Sequence, residues 1–130
     1  MRRPARTADE DGGQVPLTPV EFHILLSLTD ADRHGYAILQ DVSERTGGQI
    51  RLRTGTLYTV IKRMLDGGWL EETELRTRAD EDERRRYYRL TALGRQVVRV
   101  EARRLQALVA MAQDKRVLPG GRKIAPEAGR

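Results

Sequence analysis

The sequence predicts a mainly α-helical fold with one small β-hairpin, and three observations predict it. Apolar residues recur at helical spacing in four separate stretches between residues 17 and 116. Hydroxyl residues stand at the starts of three of those stretches and glycine pairs at the ends of two. The strand-like segments, residues 69–75 and 86–90, lie next to each other in order, between the third helical stretch and the fourth.

The first helix starts at Thr18-Pro19-Val20-Glu21. A hydroxyl cap, a proline at the first helical position and a glutamate three residues beyond the cap form a capping box, with Leu17 and Phe22 placed for a hydrophobic staple. Val20, Ile24, Leu25 and Leu28 supply its apolar face, and residues 29–32 read as a turn. A second helix over 34–46 turns Ile38, Leu39 and Val42 inward and stops at Gly47-Gly48. Thr54 is the expected cap of a third helix to residue 66, whose Leu57, Ile61, Met64 and Leu65 fall at i, i+4, i+7 and i+8, with Gly67-Gly68 beyond. After the hairpin, Thr91 caps a longer helix to about residue 114. Leu93, Val97, Val100, Leu108 and Met111 lie on one side of it, with Val98, Leu105, Val109 and Ala112 on the flank.

Composition sets outer bounds. The 130 residues are 38% hydrophobic, enough for one modest core with tails. Residues 1–16 are expected to be a flexible arm and 117–130 a disordered basic tail, since neither has much to bury. Lys plus Arg is 24 against 19 acidic residues, and the isoelectric point near 10.1 favours polyanionic partners, nucleic acid first. There is no cysteine, so disulfides, thiolate metal sites and cysteine catalysis are excluded. No apolar run approaches the roughly 20 residues needed to cross a bilayer, and the first residues lack the apolar core of a signal peptide, so no membrane partner and a cytoplasmic location are expected.

Three helices followed by a two-stranded hairpin is the element order of a winged helix-turn-helix, in which the third helix can enter the major groove of double-stranded DNA and the hairpin lies along the backbone. The outward positions of that helix, Thr54, Thr56, Tyr58, Thr59, Lys62 and Arg63, carry hydroxyls and cations suited to phosphate oxygens and base edges. Arg84, Arg85 and Arg86 lie on the hairpin, where an alternating strand lets only some of them face a duplex. The acidic run 80–83 beside them reads as a solvated tip, because four consecutive residues do not converge on one cation. His23 and His34 have no neighbouring nucleophile and carboxylate, so structural roles are expected, and neither an enzyme nor a cofactor is predicted.

Three blocks add to this reading. HGYAILQDV (34–42), GTLYTVIKRMLDGGWLE (55–71) and DERRRYYRLTALG (82–94) closely resemble the signatures of the PadR family of transcriptional regulators, in order and spacing. The resemblance implies a winged-helix DNA-binding domain, a homodimer built through the helix after the wing, and repression relieved by a small molecule. On it, Gly55, Thr56, Leu57 and Tyr58 match the family's Gly-Thr-Leu-Tyr block, with Tyr58 at the DNA backbone, and Arg84, Arg85 and Arg86 match the basic wing. Two departures stand out. Trp69 replaces a commoner aliphatic residue, and a single C-terminal helix, as in the shorter branch of the family, leaves less material for an effector pocket.

The expected organisation is a DNA-binding domain over 17–90 and a dimerisation helix over 91–116 that uses Leu93, Val97, Val100, Leu105, Leu108 and Met111. This apolar surface is wider than one small domain needs, and a partner helix is the simpler way to cover it. Trp69 is a core residue at the start of the wing and the candidate contact for a small aromatic effector. The alternative is a winged-helix module that binds protein rather than an operator, because fold does not fix function.

Overall fold

In the structure, a computed structural model describing residues 16–73 and 86–120, the chain forms helices α1 (Pro19–Ser27), α2 (Gly35–Arg45), α3 (Thr54–Asp66) and α4 (Ala92–Asp114) and strands β1 (Arg33–His34), β2 (Leu70–Thr73) and β3 (Tyr87–Leu90). It is mainly helical with a small antiparallel sheet. Residues 1–15 of the predicted arm (1–16), residues 121–130 of the predicted tail (117–130) and residues 74–85 of the predicted wing, with Arg84, Arg85 and the acidic run, lie outside the described residues.

Local sequence accounts for most element boundaries. The capping box of α1 forms in full: the Glu21 N–H donates to Thr18 Oγ1 at 3.1 Å, and Glu21 Oε1 accepts the Thr18 N–H at 2.8 Å. Gly47 and Gly48 both take positive φ, 64° and 84°, just beyond α2, where a side chain would be strained. Thr91 caps α4 by accepting the Gly94 N–H at 3.0 Å.

Two expectations are corrected and one is extended. His34 does not begin α2; it is the N-cap, its ring nitrogen accepting the Ala37 N–H at 3.2 Å. Thr54 is the first residue of α3 rather than its cap, because the preceding Arg53 takes the extended boundary conformation and no side chain caps this end. The hairpin is also not a hairpin alone. Arg33 and His34 add a third strand, giving the order β1-β3-β2 with Arg33 opposite Tyr88 and His34 opposite Tyr87.

The core gathers Ile24, Leu25 and Leu28 of α1, Ile38 and Val42 of α2, Leu57, Ile61 and Met64 of α3, and Val97 of α4, closed on one side by Leu70, Tyr88 and Leu90. Burying such side chains stabilises the fold by about 1.5–3 kcal/mol each. Helix α4 divides along its length. Gly94, Val97, Val98 and Glu101 pack against the rest of the chain, whereas Leu108, Val109 and Met111 stand exposed. Val97 is therefore a correction: it is fully buried in its own domain and offers nothing to a partner. Leu93 is half-buried against the same core.

Glu101 is the one buried side chain among the described residues that carries a formal charge at neutral pH. Its carboxylate takes a two-pronged bond from Arg104, Nε to Oε1 at 2.8 Å and Nη2 to Oε2 at 2.7 Å, and it also accepts the backbone N–H of Leu17. The Arg104 bonds hold its pKa below the ordinary glutamate value; burial pushes the other way, and the Leu17 N–H and the arginine charge add to the lowering. The chain entering α1 is thereby tied to the middle of α4.

Candidate nucleic-acid interface

Helix α3 is two-sided. Leu57, Val60, Ile61 and Met64 are buried and clamp it to the core, while Thr54, Thr56, Tyr58, Thr59, Lys62 and Arg63 are all exposed. All the positions predicted on this helix are thus exposed. The first helical bond runs from the Leu57 N–H to the Arg53 carbonyl at 3.0 Å, and with no side-chain cap the N–H groups of the preceding turn point outward, as suits an anion. Such a surface can donate hydrogen bonds and attract phosphate.

Its charges are not equally available. Lys62 reaches Asp66 one turn on at 3.4 Å with both side chains well exposed, a contact worth a few tenths of a kcal/mol that water and phosphate displace easily. Arg63 is engaged differently: its guanidinium donates to Glu21 Oε2 at 3.0 Å, and Glu21 is itself held by the capping box of α1. Arg63 therefore ties α3 to α1, a role that spacing along the sequence did not show. Arg53, exposed at the N-cap of α3, makes no ion pair among the described residues and belongs with the cationic surface. The signal was legible, since Arg51 and Arg53 immediately precede the helix.

The base of the wing is nearly neutral. In the β2–β3 ladder Glu71 stands opposite Arg89 and Glu72 opposite Tyr88. Arg89 pairs with Glu71 at 3.4 Å and donates to Thr73 at 3.2 Å, and Arg86 pairs with Glu72 at 3.3 Å. Of the three predicted wing cations, the described one is thus already matched by a carboxylate.

Two further residues complete the surroundings. Tyr58 is 44% exposed, yet the tip of its ring leans on Gly35 at the start of α2. The Tyr88 hydroxyl is held above the usual phenol range, first by burial and then by the nearby Tyr58 phenol and Glu72 carboxylate, with Arg86 opposing. Trp69 is a core residue, as expected: only 8% exposed, it is enclosed and presents no face to a flat ligand, so the effector contact suggested for it is not supported. The histidines serve structure. The His34 ring meets Tyr87 edge-on at 5.3 Å. The His23 pKa is lowered by burial and then by Arg45, whose guanidinium donates to the His23 carbonyl at 3.1 Å, with Asp41 opposing.

Among the described residues no cluster of side chains suits a metal ion, and no helix is long and apolar enough to cross a membrane. Comparison with known proteins yields a match of residues 24–100 to the Transcriptional regulator PadR-like family. The chain is 34% identical over 76 residues to an uncharacterized protein of Lysinibacillus sphaericus, a match that spans 55% of this chain and 64%, under two-thirds, of that relative. Its fold is similar to that of a PadR family transcription regulator from Clostridium difficile (TM-score 0.64, 21% identity, 78% of this chain and 100% of that one). It is also similar to RosR of H. salinarum (TM-score 0.55, 25% identity, 80% of this chain and 98% of that one).

Proposed function

The chain belongs to the PadR-like family of transcriptional regulators, and we propose that it is a sequence-specific DNA-binding repressor, not an enzyme, that grips a pseudo-palindromic operator as a homodimer. The observation that carries this reading is the two-sided α3: a buried aliphatic side fixes the helix, and the outward Thr54, Thr56, Tyr58, Thr59 and Lys62 are exposed together. Arg53 adds to this surface, and Arg63 contributes only where a phosphate outcompetes Glu21. Arg86 faces the same competition from Glu72, and Arg84 and Arg85 remain proposed wing contacts.

Residues 17–90 form the DNA-binding unit of the proposal and 91–116 its dimerisation helix. The exposed Leu108, Val109 and Met111, flanked by half-buried Val100, Leu105 and Ala112, support a helix-to-helix seam in the second half of α4. No effector is included, because Trp69, the residue suggested for one, is enclosed.

Selecting fragments from random duplex DNA with the purified protein tests the reading. The expected product is a pseudo-palindrome with half-sites about one helical turn, roughly 34 Å, apart. On that duplex, Lys62→Ala should weaken binding and reduce the salt slope by about one unit. Absence of any enriched sequence, with no salt-sensitive DNA affinity, would favour a protein-binding module instead.

A further inference from the structure

Gly35 is the first residue of α2 and is buried. A Cβ built on it would overlap the Tyr58 hydroxyl and stand 2.7 Å from ring carbon Cζ and 3.1 Å from Cε1, and real side chains essentially never approach within 3.0 Å. All three nearest neighbours belong to Tyr58, so one ring fills the space that glycine leaves. That ring comes from α3, remains 44% exposed and stands near the Tyr88 phenol of β3. Helix α2, helix α3 and the sheet thus meet around it.

We propose that Gly35 is the positioning residue for Tyr58, its bare Cα setting where the phenol stands on the DNA-facing surface. The inference rests on the reading that α3 meets DNA. A tyrosine with a half-exposed ring and no seat would sample several rotamers and lose that freedom on binding. Resting the ring tip on the first turn of α2 holds the hydroxyl in one place before the duplex arrives. A methyl group at position 35 displaces the ring, leaving the cations of α3 where they are.

The test measures affinity of the full-length protein for its selected duplex in the wild type, Gly35→Ala, Tyr58→Ala, the double variant and Lys62→Ala, with thermal melts of each. Gly35→Ala and Tyr58→Ala should each weaken binding about fivefold, the scale of one lost hydrogen bond, and the double variant no more than Tyr58→Ala alone. The melting temperature lowered by Gly35→Ala should recover in the double variant, whose ring no longer meets the methyl group. Wild-type affinity in Gly35→Ala, or losses that multiply in the double variant, would overturn the proposal. If Gly35→Ala fails to fold, a cooperative melt regained on adding Tyr58→Ala supports it, and a melt not regained refutes it. Lys62→Ala separates the two levels: if it binds as tightly as wild type, the interface reading itself has failed, whereas weakened binding there confines any failure to Gly35.

Discussion

Gly94→Ala and Gly55→Ala make the same change in the first turn of a helix, and the structure gives them opposite signs. In an open helix alanine is favoured over glycine by up to about 1 kcal/mol. Gly55, in α3, has nothing within 4 Å of the position its Cβ would take, so the substitution should realise a fraction of that gain. Gly94, in α4, is pressed against the base of the wing. Its Cβ would overlap the Trp69 carbonyl oxygen and stand 3.0 Å from both the Trp69 carbonyl carbon and Leu90 Cδ2. Leu90 can rotate, but the carbonyl cannot easily retreat. Trp69 O accepts the Thr91 N–H at 3.0 Å and the Thr91 hydroxyl at 3.1 Å, and Thr91 is the cap of α4. Overpacking costs about 1–3 kcal/mol and a disrupted hydrogen bond about 1 kcal/mol more. Set against the helix gain, Gly94→Ala should destabilise by about 2 kcal/mol, a fall in melting temperature of roughly 10 °C for a domain of this size. Circular-dichroism thermal melts and urea titrations of the two variants beside wild type read this directly. A Gly94→Ala protein that melts at or above wild type would refute the close approach of α4 to the wing, and a strongly destabilised Gly55→Ala would refute the open surface assigned to the start of α3.

Glu101 makes stability depend on pH with a definite sign. Its carboxyl binds a proton more weakly folded than unfolded, so its contribution is complete above the ordinary value of 4.5 and fades as pH falls through the lower folded value. Urea midpoints should therefore drop less between about pH 7 and pH 3 in Glu101→Gln than in wild type, and parallel curves would contradict the buried pair. Val97→Ala and Met111→Glu should separate core from seam. The first should cost about 2 kcal/mol of stability without changing oligomeric state. The second should turn the proposed dimer into folded monomers by sedimentation, and an unchanged sedimentation profile would count against the α4 seam. Arg63→Ala, by removing the bond to Glu21, should lower the melting temperature slightly while changing the salt slope of DNA binding less than Lys62→Ala; the reverse order would place Arg63 on the duplex.

Much of the fold was legible because its signals are local. The Thr18–Glu21 box, the Thr91 cap and the glycine pair after α2 each act within a few residues, so the chain itself specifies where α1 and α4 begin and α2 ends. The alternation of buried and exposed positions along α3 was likewise readable, since a period of 3.6 residues places Leu57, Ile61 and Met64 on one side. The candidate surface followed from that period. Strand β1 was not readable: two residues carry no periodicity, and their partners Tyr87 and Tyr88 lie far along the chain.

The sequence by itself determined where the four helices lie to within a residue or so, which side of each helix is apolar, and that hydroxyls and cations lie on the outer side of α3. Only the tertiary structure decided how those groups are used. It matched Arg63 to Glu21 and Arg86 to Glu72, enclosed Val97, Trp69 and Glu101, left Leu108 and Met111 uncovered, and seated Tyr58 on Gly35. The physical reason is range. Caps and helical periods are satisfied between near neighbours in the chain, whereas burial and ion pairing depend on distances through space, which exist only once α1, α3, α4 and the sheet have packed together.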